Sequence, residues 1–332
     1  MRVTITGRFP ILRAGMHPLR SAVDEWRAGG ETTPEAALAD ASLSTAQADA
    51  ARELIGAQEA LGVDVPSDGY VPIYDEWFAA APMAGVPVGA VIRYLDTNTY
   101  YHRWILKKQP VRTAAGPAVA AYRCARAMTT KPVKPCLFGP YTLWAYAVRE
   151  GKGAAPESFE ALVEIWAAEV AALAAEGAQW IQLDESVLLR PQRRGDFPLV
   201  AHAVETIAAA APQVTLVLHL ACGAVGEMLA PLLKLRGLGG LGLDFTAQYR
   251  KANLSALNGW KGDALLQAGV ANGRQIGIES PAEIRETLAA ITAHVPAERC
   301  LAAPNTGLHY LPRHAAFAKL GALVAAAHER KR

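Results

Sequence analysis

The sequence predicts a (β/α)8 barrel that forms a single domain over residues 1–332. Eight short apolar runs alternate with helical stretches, and this alternation produces a parallel sheet with helical crossovers. Each run also ends in a polar or turn-forming cluster. The clusters are Thr6-Gly7, Ser67-Asp68-Gly69, Gly139-Pro140, Asp184-Glu185, His219, Asp244, Glu279-Ser280 and Asn305-Thr306-Gly307. Because such barrels carry their chemistry at the C-terminal ends of the strands, these clusters are the candidate site.

The composition excludes several classes of function. The 332 residues are 52% hydrophobic and 19% charged, which is typical of a soluble protein with a large core. A net charge of +2 does not favour nucleic acid or a membrane as partner. The four cysteines are widely spaced, the first residues resemble a strand rather than a signal peptide, and no apolar run is long enough to cross a bilayer. We therefore expect a cytoplasmic protein.

The first third of the chain is less regular than the rest. A strand over 3–7 is followed by a helical extension that reaches residue 61, with Thr33 and Pro34 as its predicted start. Residues 63–66 form a short second strand. The polar and aromatic segment 71–112 then interrupts the alternation, and we expect this insert to lie near the barrel mouth.

From Lys131 onwards the alternation is strict. The helix predicted over 156–176 places apolar residues at three-and-four spacing. The remaining predicted strands are 180–183, 214–218, 241–243, 275–278 and 301–303, and the remaining helices are 199–211, 224–235, 281–294 and 313–328.

Two adjacent carboxylates, Asp184 and Glu185, follow one of these strands. Such a pair repels and raises one pKa unless a cation lies between the two groups. The pair therefore suits an ammonium group, a metal ion or general acid–base chemistry. The alternative is structural, with one carboxylate at a helix N-terminus and the other in a salt bridge.

A half metal site is the second candidate. His219 follows a buried strand, which suits a metal ligand, a general base or a buried core histidine. Asp244 lies one βα unit later and should face the same rim, where it would supply a second ligand. Cys222 is either a third ligand or a packed side chain.

Further candidates for ligand contact lie in the neighbouring loops. Glu279 precedes a helix that Ser280 and Pro281 are expected to start, so it either contacts a ligand or belongs to the helix cap. The other candidates are Tyr141, Asn305, His309 and Asn98. Arginines around the N-terminal loop and the insert are able to hold the carboxylates of an acidic ligand, and these are Arg8, Arg13, Arg20, Arg93 and Arg103.

Several segments resemble the cobalamin-independent methionine synthases. Residues 4–10 (TITGRFP) resemble the family's T-x-I-G-S-F-P, residues 62–69 its G-[IL]-D-x-x-x-D-G, residues 139–142 its G-P-x-T and residues 180–185 its W-[IV]-Q-[IL]-D-E-P. Residues 96–101 and 74–75 are more similar to the N-terminal half of the two-barrel enzymes. The similarity covers nearly the whole chain in the same order.

The resemblance implies a zinc (β/α)8 barrel that moves a methyl group from a folate to homocysteine. In that family H-x-C, a glutamate and a late cysteine hold the zinc. Here His219 keeps the histidine, Asp244 stands at the glutamate position, and Ala221 and Thr306 replace the cysteines. Soft thiolates bind zinc tightly, so their loss predicts weak zinc binding or another divalent metal.

Further roles follow from the same resemblance. Arg8 replaces a serine that contacts the amino acid, and Arg20 and Arg93 match basic positions near the folate tail. Asp184 and Glu185 would bind the substrate amine.

Three functions are consistent with these features. The first is a methyltransferase acting on homocysteine or a related small amino acid or thiol, with a methyl-folate or a methylated corrinoid protein as donor. In it Asp184 and Glu185 bind the ammonium group, His219 and Asp244 serve a metal or acid–base chemistry, and Arg8, Arg93 and Asn98 orient a carboxylate. The second is a barrel enzyme with a lyase or hydrolase-type reaction. The third is a non-catalytic barrel that binds a folate or a partner protein.

Overall fold

Parallel strands curl into a barrel in the computed structural model, which describes residues 1–10, 41–69, 83–84, 88–95, 100–112 and 117–328. The strands are β1 (Arg2–Val3), β2 (Met83–Ala84), β3 (Val88–Arg93), β4 (Tyr100–Leu106), β5 (Val111–Arg112), β6 (Cys136–Phe138), β7 (Val148–Arg149), β8 (Trp180–Asp184), β9 (Thr215–Leu220), β10 (Leu238–Asp244), β11 (Leu265–Ala271) and β12 (Cys300–Pro304). The main sheet has the order β1-β12-β11-β10-β9-β8-β6, and its neighbours pair in parallel.

The segment around Val65 joins the two edges of this sheet. A parallel bridge links Thr4 to Val65, and another links Ser67 to Lys134. The Lys134 amide donates to the carbonyl of Pro66 at 2.8 Å. The barrel is thereby closed at its eighth position by a short extended segment, which confirms the predicted fold class.

Helices follow the strands and cover the outside of the sheet. The helix Pro156–Ala175 buries Phe159, Leu162 and Trp166, as its three-and-four spacing predicts. The helix Pro281–Thr292 begins with a capping box between Ser280 and Glu283. The helices are α1 (Ala41–Ala60), α2 (Pro117–Arg126), α3 (Pro140–Tyr146), α4 (Pro156–Ala175), α5 (Phe197–Ala210), α6 (Leu229–Leu232), α7 (Arg250–Ala256), α8 (Pro281–Thr292) and α9 (Arg313–His328). Within the described ranges, none of them is long and apolar enough to span a membrane.

The described part of the insert 71–112 includes an antiparallel hairpin of β3 and β4. Strand β4 also pairs in parallel with β7. Tyr94, which follows β3, packs edge-on against Phe138 of β6 with ring centroids 5.5 Å apart. The hairpin therefore reaches the C-terminal end of a barrel strand. How the rest of segment 71–112 lies stays a prediction.

Two of the predicted elements are wrong. The seventh barrel strand is Leu265–Ala271 and not 275–278, where Ile276 and Ile278 are 60% and 52% exposed. Glu279 consequently does not end a strand. The helix predicted over 224–235 is only the short α6, after a 3-10 turn at Gly226–Met228. Pro231 lacks the N–H that a longer helix would use, which limits its extension.

Candidate functional site at the strand ends

A polar layer fills the barrel interior below the strand ends. Lys134, fully buried, donates from Nζ to Oε1 of Gln182 at 2.7 Å and to Oε1 of Gln267. Burial lowers the pKa of Lys134, while the field of Asp184 opposes that effect. Barrel interiors of this class are usually filled by branched apolar side chains, so a buried ammonium with two amides is a departure from the pattern.

The lysine fixes the orientation of the Gln267 amide and, through it, the state of His219. Because an ammonium only donates, Oε1 of Gln267 faces Lys134 and its Nε2 faces away, 3.3 Å from Nδ1 of His219. Nε2 of His219 lies 2.9 Å from the carbonyl oxygen of Asn305, which only accepts. The imidazole is therefore the Nε2–H tautomer with its lone pair at Nδ1 facing an amide donor. Burial lowers the pKa of His219 to about 3, so the ring is neutral.

Asp184 is the most accessible acid of the strand-end cluster. Its side chain is 16% exposed, and Oδ1 lies 3.8 Å from Nε2 of His219. Since that imidazole is neutral, the contact is not an ion pair. The carboxylate nevertheless acts on groups around it, because its charge raises the pKa values of Tyr94 and Cys222 in addition to the effect of their burial. Asp184 thus contributes negative charge at the barrel mouth.

Glu185, in contrast, is turned into the fold. It is 1% exposed and accepts hydrogen bonds from the amides of Tyr141 and Thr142, at 2.9 and 2.7 Å, and from the Thr142 hydroxyl at 2.6 Å. These amides begin α3, so the carboxylate caps that helix. Burial raises the pKa of Glu185 to about 7 despite these bonds. The sequence predicts that Glu185 binds a substrate amine, and these hydrogen bonds to the start of α3 do not agree with that role.

Asp244 holds three loops together. Its Oδ1 accepts from the amide and hydroxyl of Thr246 at 2.9 and 2.7 Å. Its Oδ2 accepts from the Cys222 amide at 3.1 Å and from Nδ2 of Asn305 at 2.9 Å. Oδ1 of Asn305 in turn accepts from the amide of Gly273 at 2.9 Å. One buried carboxylate thus connects the loops after β9, β10 and β12.

Cys222 lies beside the basic side chain of Arg274. The cysteine adopts a left-handed backbone conformation, with φ 57°, in the loop after β9. Burial raises the pKa of its thiol to about 12, and the neighbouring Arg274 opposes that rise. A thiol with such a pKa is protonated near neutrality.

The remaining predicted contact residues are spread around the rim. Arg8 is 8% exposed. Burial of His309 lowers the pKa of its imidazole well below the usual value, and the charge of Arg8 lowers it further. Tyr141 is buried and its hydroxyl donates to Asp196 at 2.6 Å, so it braces the loop after β8. Glu279 is paired with the buried Lys319 at 2.8 Å.

The other predicted contact residues are four arginines and one asparagine. Arg93 ends β3, directly before Tyr94. Arg103 donates from Nε to the Tyr146 carbonyl at 2.8 Å. Arg13, Arg20 and Asn98 lie outside the described residues.

The donor set does not fit the zinc that the resemblance implies. In the part of the chain that the structure describes, no group of three or more His, Cys, Asp and Glu side chains is arranged to hold a metal ion. Nε2 of His219 is protonated, both oxygens of Asp244 are engaged, and Ala221 and Thr306 carry no thiol. We therefore derive no chemical step through a metal.

Replacement of Gly242 with Ala is expected to disturb the imidazole of His219. A Cβ at position 242 would lie 2.2 Å from Nδ1 of His219, a ring that is buried and held at both nitrogens. Overpacking of this kind costs about 1–3 kcal/mol of unfolding free energy. Urea denaturation measures it, with Gly195→Ala as control because nothing lies within 4 Å of that Cβ. Equal stabilities for the two variants would contradict the packing described.

Sequence reasoning missed the residues that connect the cluster. Gln182 lies in a predicted strand but has no predicted role, and Lys134 precedes the run that ends at Gly139-Pro140. Gln267 lies in no predicted strand, Thr246 follows Asp244 by two positions, and Arg274 directly precedes the strand predicted in the wrong place. Alternation supplies a partial signal for Gln182, which shares the inward face of β8 with Asp184. The contact between Lys134 and Gln267 joins residues 133 positions apart, so no local signal predicts it.

Comparison with known proteins agrees with the resemblance in the motifs. A profile of the family described as cobalamin-independent synthase, N-terminal domain, matches residues 74–296. The chain is similar to a 5-methyltetrahydropteroyltriglutamate–homocysteine methyltransferase of Streptomyces griseus, with 33% identity over 204 residues. That match covers 59% of this chain and 26% of the relative, so the chain spans about a quarter of such long relatives.

A shorter relative and a solved structure match over more of their length. A protein of Sulfurisphaera tokodaii named methionine synthase is 26% identical over 288 residues, which are 85% of this chain and 82% of that protein. The structure of a B12-independent methionine synthase from Shewanella sp. W3-18-1, in complex with selenomethionine, superposes with a TM-score of 0.79. It is 19% identical and covers 98% of this chain and 96% of that chain, which supports the fold.

Proposed function

Since the chain belongs to the cobalamin-independent synthase family, we propose that it binds a small amino acid at the barrel mouth as the acceptor in a methyl transfer. The acceptor is homocysteine or a related thiol amino acid, and the donor is a methyl-folate. Both classes are those in the names of the long relatives. The corrinoid donor considered from the sequence has no support in those names.

The observation that carries the proposal is the difference between the two adjacent acids. Glu185 is 1% exposed and caps the N-terminus of α3, whereas the side chain of Asp184 is 16% exposed at the strand ends. An accessible carboxylate at the C-terminal end of a barrel strand suits an ammonium group, because a charge-assisted hydrogen bond forms there in a partly desolvated site. Asp184 would hold the amine, and Arg8 supplies positive charge at the same rim for the carboxylate of the acceptor.

A second function is supported by a specific observation. A zinc ion that would activate a thiol lacks its ligands here. Positions 221 and 306 carry no thiol, Nε2 of His219 is engaged by the carbonyl of Asn305, and Asp244 accepts from the Cys222 amide. The matching family profile is also that of the N-terminal domain. A barrel that binds an amino acid or the glutamate tail of a folate without transferring a methyl group would need only the charged groups of the rim.

Replacement of Asp184 with Asn is the direct test of the ammonium site. We expect homocysteine or methionine to bind the wild-type chain, and Asp184→Asn to weaken that binding by roughly 10–100-fold, equivalent to about 1.5–3 kcal/mol for a charge-assisted bond. Isothermal titration calorimetry measures the affinity. Asp263→Asn is the matched control, since the Asp263 side chain is fully exposed.

A ligand without the amine separates charge recognition from a general loss of shape. The desamino analogue of homocysteine should bind both variants equally. If Asp184→Asn binds homocysteine as tightly as the wild type, the proposed ammonium site is wrong. Growth of a methionine auxotroph that expresses the chain then separates the two functions, since only methyl transfer restores growth and the non-catalytic barrel does not.

A further inference from the structure

We propose that His219, Asp244 and Asn305 form a metal-independent clamp that holds the barrel mouth in place. The clamp occupies the positions at which the resemblance implies a zinc centre, and it ties the loops after β9, β10 and β12 by hydrogen bonds instead of by coordination. This inference concerns the scaffold of the site and does not depend on which ligand binds there.

The first argument is the saturation of Asp244. The carboxylate is 0% exposed and accepts four hydrogen bonds, two at each oxygen, at 2.7–3.1 Å. A metal ion would have to displace at least one of these donors. The displaced amide of Cys222 or Thr246 would then be buried without a partner, which is a cost that a pre-formed metal site does not carry.

The second argument is the geometry of His219. Nε2 faces the carbonyl oxygen of Asn305 at 2.9 Å, and Nδ1 faces the amide of Gln267 at 3.3 Å. A metal at Nε2 would replace the proton and meet that carbonyl, and a metal at Nδ1 would displace the Gln267 amide. Both ring nitrogens are therefore engaged, whereas a zinc ligand needs one nitrogen with its lone pair directed at the metal.

The third argument is the fate of the thiolate positions. Ala221 uses its amide to donate to the hydroxyl of Ser186 at 2.8 Å, and Thr306 places its hydroxyl 3.5 Å from Oδ1 of Asn305. Cys222, the nearby thiol, contributes its backbone amide to Asp244. Positions 221 and 306 thus take part in the loop contacts and carry no thiol, and the thiol of Cys222 lies beside Arg274.

Zinc binding by the wild-type chain is the first measurement. After treatment with EDTA and its removal, zinc chloride is titrated in competition with a chromophoric chelator. We expect no stoichiometric zinc to be held and no change in Tm between EDTA and zinc. If the wild type and Asp244→Asn bind the same amount of zinc, that zinc is held by surface histidines, and the result agrees with the clamp. One equivalent of zinc that raises the Tm and is lost in Asp244→Asn overturns it.

The second measurement is the stability of Asp244→Asn in EDTA. The side-chain amide introduced by Asp244→Asn would direct its N–H groups at the backbone and side-chain donors that the carboxylate of Asp244 accepts from. We therefore expect the Tm of Asp244→Asn to be roughly 5–10 °C below that of the wild type. The difference should be the same in EDTA and in zinc chloride. Thr246→Val removes only the hydroxyl contact and should lower the Tm by less. Asp263→Asn is the surface control. An Asp244→Asn variant as stable as the control in EDTA contradicts the clamp, and the wild-type titration decides the question even if the variant does not fold.

Discussion

Replacement of Gly139 with Ala is expected to lower the free energy of unfolding by about 3–5 kcal/mol, from overpacking together with the loss of a buried hydrogen-bonded acceptor. The glycine precedes α3 with φ −75° and ψ 158°, a conformation that alanine adopts without strain. The cost is therefore steric. A Cβ would lie 2.0 Å from Oε1, 2.3 Å from Cδ and 2.6 Å from Cγ of Glu185.

Glu185 has no alternative place to go. The side chain is buried, and its oxygens are held by the first amides of α3 and by the hydroxyl of Thr142. To admit the methyl group, either the carboxylate leaves those three donors or the helix moves away from β8. Both responses expose polar groups of the fold to an apolar surrounding.

A double-mutant cycle measures the interaction directly. Guanidinium denaturation gives the unfolding free energies of the wild type, Gly139→Ala, Glu185→Ala and the double variant. We expect Gly139→Ala to cost much less in the Glu185→Ala background, because the truncated side chain leaves room for the new methyl group. Equal costs in both backgrounds would show that the clash with Glu185 is not the cause. Gly195→Ala again serves as the control in open space.

The barrel itself was predictable because its signals are local. Strand–helix alternation, the apolar spacing of α4 and the start of α8 at Ser280 and Pro281 are all visible within about twenty residues of sequence. The seventh strand was misplaced because Leu265–Ala271 contains the polar Gln267 and three small residues, which weaken an apolar run. Residues 275–278 alternate like a strand but lie exposed in a loop.

The site was predictable only as a set of side chains at one rim. Strand ends identified Asp184, Glu185, His219 and Asp244, and parallel register places Asp184 beside His219. The roles of these residues depend on partners that the sequence does not bring together. Asp244 accepts from Asn305, 61 positions away, and Glu185 caps a helix that starts 45 positions earlier in the chain. Burial and such distant donors decide which acid is available to a ligand.

A similar argument explains why two chemically alike neighbours differ. Asp184 faces the barrel interior, where its charge acts on Lys134, Tyr94 and Cys222. Glu185 directly follows the end of β8, and its side chain points towards the first amides of α3. The repulsion expected between adjacent carboxylates is relieved by this separation, and desolvation rather than the neighbouring charge is the main cause of the raised pKa of Glu185.

Stability that falls as the pH rises is the expected consequence of that raised pKa. Burial raises the pKa of Glu185 from 4.5 to about 7, so between these values the folded chain binds a proton that the unfolded chain has lost. The stabilisation is complete below pH 4.5 and is lost as the pH rises through about 7. A shift of this size corresponds to about 3 kcal/mol over the window.

The difference between wild type and Glu185→Gln isolates this group, because all other carboxylates titrate alike in both proteins. We expect urea denaturation from pH 4.5 to 7.5 to show that the stability advantage of the wild type shrinks by about 3 kcal/mol as the pH rises. Glu164→Gln, on the exposed face of α4, should show no such trend. Three hydrogen bonds favour the ionised form and desolvation opposes it. An advantage that grows with pH would mean that the hydrogen bonds from α3 outweigh desolvation and that Glu185 is ionised in the folded chain.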